Sequence, residues 1–140
     1  MIKIGIDVGS TTAKLVAVDE NDNLLFSKYE RHNAKAKETI LSFLKELLSE
    51  IGDKDISVRI TGSIGMGISE KCSLPFVQEV VAAAKAIQKD YSHVTSMIDI
   101  GGEDAKVVFF KDAEATDLRM NGNCAGGTGA FIDQMAIILG

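Results

Sequence analysis

Tryptophan is absent, proline occurs once and cysteine twice in a chain of 140 residues. Two cysteines, Cys72 and Cys124, are too few for a disulfide framework, and a reducing compartment would keep both as thiols. A single proline beside 46% hydrophobic residues excludes a Pro-rich or disordered chain. No apolar run approaches the roughly 18 residues of a membrane span, so no membrane partner is expected. Positive charge is also scarce, with Lys and Arg totalling 15 against 20 Asp and Glu, a net charge of −5. Without a basic stripe to displace counterions, nucleic acid is not expected as a partner. Met1-Ile2-Lys3-Ile4 runs straight into a strand pattern with no signal peptide, which leads to the expectation of a cytoplasmic protein.

What the chain does contain is a repeat. Ile6-Asp7-Val8-Gly9-Ser10-Thr11-Thr12-Ala13-Lys14-Leu15-Val16 returns without a gap, 92 positions later, as Ile98-Asp99-Ile100-Gly101-Gly102-Glu103-Asp104-Ala105-Lys106-Val107-Val108. Six of the eleven residues are identical, which points to a duplicated unit. Each copy reads as a β-hairpin: an apolar strand ending in aspartate, a turn of small residues, and a second apolar strand. Gly9 and Gly101 let the backbone approach a ligand, so that successive N–H groups in the turn face an anion. Ser10, Thr11 and Thr12 add hydroxyl donors to the first tip, whereas Glu103 and Asp104 give the second tip carboxylates for metal or water. Asp7 and Asp99 suit a Mg²⁺ ion held largely through its waters. Two facing tips of this kind would grip the phosphates of a nucleotide from both sides.

Taken in order, Ile2 to Val8, Thr12 to Asp19 and Leu24 to Glu30 read as three strands. A helix from about Ala34 to Ile51 places Ile40, Leu41, Leu44, Leu47, Leu48 and Ile51 on one stripe, with Asn33 as N-cap and Gly52 as stop. Ile56 to Thr61 is a fourth strand, and Gly62 to Gly67 a glycine-rich bend into a short helix. A longer helix, about Pro75 to Tyr91, carries Pro75 in its first turn and Val77, Val80, Val81, Ala84, Ile87 and Tyr91 on one side. Val94 to Ile100 opens the second hairpin. Lys106 to Phe110, a turn at Lys111-Asp112-Ala113-Glu114, a strand near Thr116 to Met120 and a helix from about Thr128 follow. The order is βββαβα and then an incomplete second copy, since only 43 residues run from Ile98 to Gly140. A fragment of a longer protein is expected, one whose uncovered apolar stripes would make it self-associate or exchange elements.

Cys124 precedes the last helix in the run Asn121-Gly122-Asn123-Cys124-Ala125-Gly126-Gly127-Thr128-Gly129. A helix N-terminus favours the thiolate. Spacing leaves three readings open: an inert buried thiol, a redox or nucleophilic thiol, and one ligand of a cluster completed elsewhere, since one cysteine cannot hold an iron–sulfur cluster. Cys72, with no glycine nest beside it, is read as inert. The Cys124 loop lacks the Gly-Lys-Ser/Thr ending of a P-loop. His32 and His93 read as surface or loop residues, and Lys35 to Lys37 as a solvated face.

With these motifs together, the chain resembles the ATPase family that activates 2-hydroxyacyl-CoA dehydratases and benzoyl-CoA reductases. Ile4 to Val16 resembles the first phosphate motif, Ile98 to Val108 the second, and Asn121 to Ala136 the cysteine-glycine-helix segment. The resemblance implies an α/β fold of the ribonuclease H-like, actin-like ATPase kind, with residues 1–96 as a first subdomain and 97–140 as the start of a truncated second. It implies ATP or ADP as nucleotide, Gly9, Ser10, Thr11, Thr12, Lys14, Gly101 and Gly102 around the phosphates, and Asp7 and Asp99 serving Mg²⁺. Asp7, Glu103 and Asp104 would be the catalytic carboxylates, with Glu103 or Asp104 on the attacking water. Cys124 would ligate a four-iron four-sulfur cluster shared in a homodimer, and the following helix would couple nucleotide state to electron transfer into an acyl-CoA dehydratase or reductase partner. The second cluster cysteine and the adenosine-binding glycine motif of such chains have no counterpart in this sequence, so the fragment alone is expected to bind ATP weakly and to carry no cluster. Two alternatives from the same superfamily are a sugar or acetate kinase and a non-catalytic actin-like scaffold.

Overall fold

Alternation in the first strand decides which face of the sheet is buried. In β1 (Ile2–Val8) the side chains of Ile2, Ile4, Ile6 and Val8 all lie in the core, while Lys3, Gly5 and Asp7 occupy the other face. β2 (Thr12–Val18) pairs antiparallel to β1 and adds Ala13, Leu15 and Ala17 to the same buried face. The structure is a computed structural model that describes residues 1–111, 114–121 and 127–140. It falls into two units, Met1–Gln78 and Glu79–Gly140.

In the first unit β3 (Leu24–Arg31) pairs antiparallel to β2, and β4 (Ile56–Thr61) pairs parallel to β1, giving the order β3-β2-β1-β4. Helix α1 (Ala36–Ile51) supplies the crossover and covers the apolar face with Ile40, Phe43 and Leu47. Fully burying one such side chain contributes about 1.5–3 kcal/mol. Helix α2 (Gly65–Cys72) follows β4. Between them Gly62 has φ +97, and a Cβ at Gly62 would meet the Val8 carbonyl oxygen at 2.3 Å. The Ile64 N–H donates to that same carbonyl at 2.9 Å, so the bend after β4 is fastened to the end of β1, just before Gly9. The expected βββαβα order is therefore present, with the short α2 lying between β4 and the long helix that closes it.

In the second unit α3 (Glu79–Asp90) lays Val80, Ala84 and Ile87 on Met97, Val108 and Phe110 of a three-stranded antiparallel sheet. Its strands are β5 (Ser96–Ile100), β6 (Ala105–Lys111) and β7 (Glu114–Asn121), in that order. α4 (Gly129–Leu139) ends the described chain and has no buried residue.

Several sequence expectations need correction. Asn33 does not cap α1: Asn33 and Ala34 both have positive φ, 48° and 63°, in a turn closed by the Lys35 N–H on the His32 carbonyl. The cap position falls to Lys35, which makes no side-chain cap bond, whereas Gly52 stops the helix as expected. The buried stripe includes Phe43 and leaves Leu41 and Leu48 exposed. Pro75 is not in a first helical turn. The Pro75 carbonyl accepts from Ile60 N–H and Val77 N–H donates to the Ile60 carbonyl, so Pro75 to Val77 runs extended beside β4 and the helix starts at Glu79. Val81 on α3 and Tyr91 just beyond its end are exposed. Cys72 is exposed, so burial does not make it inert, and His32 is buried rather than on the surface. The expected turn at Asp112-Ala113 and the Cys124 loop lie outside the described residues.

Candidate functional site

Both copies of the repeat close with the same hydrogen bond. The Gly9 N–H donates to the Thr12 carbonyl at 3.0 Å, and the Gly101 N–H donates to the Asp104 carbonyl at 2.8 Å. The turn thus recurs in three dimensions at the matching positions.

Each turn also has two carbonyls held from behind. In the first, the Gly9 carbonyl accepts from His32 Nε2 at 3.0 Å and the Thr11 carbonyl accepts from the His32 backbone N–H at 3.2 Å. In the second, the Gly101 carbonyl accepts from the Gly129 N–H at 2.8 Å and the Gly102 carbonyl accepts from Thr128 Oγ1 at 3.2 Å. A trans peptide is planar with its C=O and N–H pointing opposite ways. Anchoring those carbonyls therefore turns the N–H groups of Ser10, Thr12, Gly102 and Glu103 to the opposite side. The N–H groups of Ser10 and Thr11 have no backbone acceptor among the described residues. Donors arranged in this way are free to face an anion.

The charged groups differ between the copies. Asp7 lies opposite Lys14 in the β1–β2 register, and the two form an ion pair at 2.7 Å, with the Lys14 ammonium 5.5 Å from the Tyr29 ring centroid. In the second copy Asp99 lies opposite Lys106, but Lys106 reaches Glu79 at 2.8 Å and Asp104 at 2.9 Å instead. Asp99 has no ion-pair or hydrogen-bond partner among the described residues. Burial draws the Lys106 pKa down, but the hydrogen bonds and charges of Glu79 and Asp104 outweigh it and hold the pKa above the usual lysine range. Asp104 is folded back onto its own tip, with Oδ1 2.6 Å from where a Cβ at Gly101 would stand. Glu103 is exposed. Thr61 lies beside Asp7 in the parallel β1–β4 register, with a buried hydroxyl that has no partner among the described residues.

The first unit thus gathers Asp7, Gly9, Ser10, Thr11, Thr12 and Lys14, and the second gathers Asp99, Gly101, Gly102, Glu103 and Asp104. Among the described residues no group of three or more His, Cys, Asp or Glu side chains converges to hold a metal unaided. Mg²⁺ needs no such cage, because one or two carboxylates, waters and substrate phosphates complete its shell. The unpaired Asp99 fits that role. His32, Glu79 and Thr128 were not singled out for the site by the sequence; the one available signal was that Thr128 follows a glycine run at a helix start.

A turn of this kind repeated on mixed strands, with helices packed on the sheets, is the architecture of an actin-like ATPase. The chain belongs to the BadF/BadG/BcrA/BcrD ATPase family, whose model matches residues 4–140. It is 28% identical over 138 residues to the (R)-2-hydroxyglutaryl-CoA dehydratase activating ATPase of Acidaminococcus fermentans, covering 97% of this chain and 53% of that protein. The crystal structure of component A of that dehydratase matches with a TM-score of 0.84 at 28% identity, over 99% of this chain and 54% of that one. The activator of the 2-hydroxyisocaproyl-CoA dehydratase from Clostridium difficile, solved with bound ADPNP, matches with a TM-score of 0.83 at 29% identity, over 99% and 52%. The chain spans about half the length of these relatives. No helix among the described residues is long and apolar enough to cross a membrane.

Proposed function

We propose that the two turns hold the phosphates of ATP, and that the complete protein hydrolyses ATP to activate an acyl-CoA dehydratase or related reductase. The observation that carries this reading is the recurrence of one turn, closed by the same hydrogen bond and braced through its carbonyls, in both copies. The family and the ADPNP-bound relative support the choice of nucleotide.

In this reading the Ser10 and Thr11 N–H groups and the hydroxyls of Ser10, Thr11 and Thr12 donate to phosphate oxygens. Gly101 and Gly102 give the second turn a backbone that phosphate can approach closely. Asp99 takes the Mg²⁺ side through water, while Asp7, oriented by Lys14, stands at the matching place in the first unit. Mg²⁺ would neutralise charge on the phosphates. Of the two candidates for orienting the attacking water, the geometry favours Glu103, because Asp104 is occupied with Lys106 and the Gly101 turn.

Cys124 is proposed as this chain's ligand to a four-iron four-sulfur cluster shared in a homodimer, which would supply a low-potential electron. A single thiol provides one of the four ligands such a cluster needs, so the others come from elsewhere. Thr128 and Gly129, bonded to the second turn, stand four and five positions after Cys124. In this reading those two bonds link the second turn to the start of α4. The duplicated architecture is read with its first subdomain over 1–96 and the second beginning near 97.

The test is anaerobic purification of the complete protein, with iron content, visible absorption and ATP binding measured together. Cys124→Ala is expected to lose iron and colour while keeping ATP affinity. An iron-free, colourless wild type whose ADP release is accelerated by sugars or carboxylic acids would overturn the activator reading in favour of a kinase.

A further inference from the structure

His32 combines features not found together at any other described titratable group. Its residue is only 4% exposed, its ring Nε2 lies 3.0 Å from the Gly9 carbonyl, and its backbone N–H lies 3.2 Å from the Thr11 carbonyl. A carbonyl only accepts, so the ring proton sits on Nε2. Nδ1 is buried and has no partner among the described residues. A buried nitrogen without a partner costs desolvation free energy, so the one hydrogen bond this ring makes among the described residues is the bond to the Gly9 carbonyl.

We infer that His32 is a positioning residue for the first phosphate turn, setting the direction of the donors that meet the nucleotide. Gly9 C=O and Ser10 N–H share one planar peptide, as do Thr11 C=O and Thr12 N–H. By holding the Gly9 carbonyl through its ring, His32 aims the Ser10 N–H outward, while its backbone N–H fixes the Thr11 carbonyl at the end of the β2–β3 pairing. Released from the ring, the Gly9–Ser10 peptide can rotate and present a carbonyl oxygen to the phosphate, replacing attraction with repulsion. The second turn is braced by a different part of the chain, through Thr128 and Gly129, so His32 serves the first turn alone. His32 directly follows β3 and is held by its own chain as well, because its carbonyl accepts from the Lys35 N–H at 2.7 Å. The bracket is therefore anchored in the β3–α1 connection and not in the turn itself.

This inference rests on the nucleotide reading, and the experiment separates the two. In the complete protein, KM for ATP and kcat are measured for wild type, His32→Phe and His32→Gln. Phe fills the site without a donor, whereas the Gln amide can restore one. The expected result is a rise of about tenfold in KM for His32→Phe with kcat within about threefold, and a Gln variant within about threefold of wild type in both. A Phe variant with wild-type KM, or a Gln variant that loses as much as Phe, overturns the inference. Should the Phe variant fail to fold, Gln decides alone, with wild-type KM supporting the inference and a tenfold rise refuting it. A wild type that neither binds nor hydrolyses ATP refutes the nucleotide reading itself, whatever the variants do.

Discussion

The ammonium of Lys106 sits between Glu79 and Asp104 with its side chain only 9% exposed, while the two carboxylates remain about a third exposed. Its pKa is raised, because those two acceptors more than offset the burial that would lower it. A raised native pKa means that the stability from this cluster is fully present below the unfolded lysine value of about 10.4 and is lost as pH rises from there through the higher native value. Removing the ammonium leaves two carboxylates facing each other near the second turn. Lys106→Met is therefore expected to lower stability by about 1–3 kcal/mol, discounted for the exposure of its partners. Urea unfolding across pH checks the sign: the gap between wild type and variant stays constant from neutral pH to about 10 and narrows above it. A gap that closes near neutrality would show that Lys106 is not the group responsible.

At the scale of elements, α1 holds the first sheet through Ile40, Phe43 and Leu47, spaced three and four residues apart, and not through Leu41 and Leu48 on its flank. Phe43→Ala is expected to cost about 3–5 kcal/mol and Leu48→Ala less than about 1 kcal/mol, measured by urea unfolding. Equal losses would mean the helix is rotated from its observed face. Such elements show what was legible in the sequence. β1 could be read because alternation is local, and the two turns because a gapless repeat of Asp, Gly, Ala and Lys survives without any tertiary knowledge. The face of α1 was misread because Leu41 and Leu48 are as apolar as Leu47, and only the position of the sheet chooses among them. The start of α3 was misread because Pro75 to Val77 bonds to β4, a partner that local propensity does not see. His32 was passed over for the same reason. Its acceptor is a backbone carbonyl 23 residues away, with no side-chain pattern to announce it.

For the whole molecule, the β5–β6–β7 sheet and α4 leave much apolar surface uncovered, including Ile98, Ile137, Ile138 and Leu139. The chain also spans about half of the relatives it matches. Functional measurements therefore belong on the complete protein. In the proposed function, backbone donors, aimed by anchored carbonyls, meet the phosphates and not the sugar or base. The most direct measurement is equilibrium binding of ATP, ADP and AMP to the complete protein in Mg²⁺. Two or three charge-assisted hydrogen bonds to the outer phosphates should make ATP or ADP bind at least about a hundredfold more tightly than AMP. AMP or adenosine binding as tightly as ATP would contradict the account.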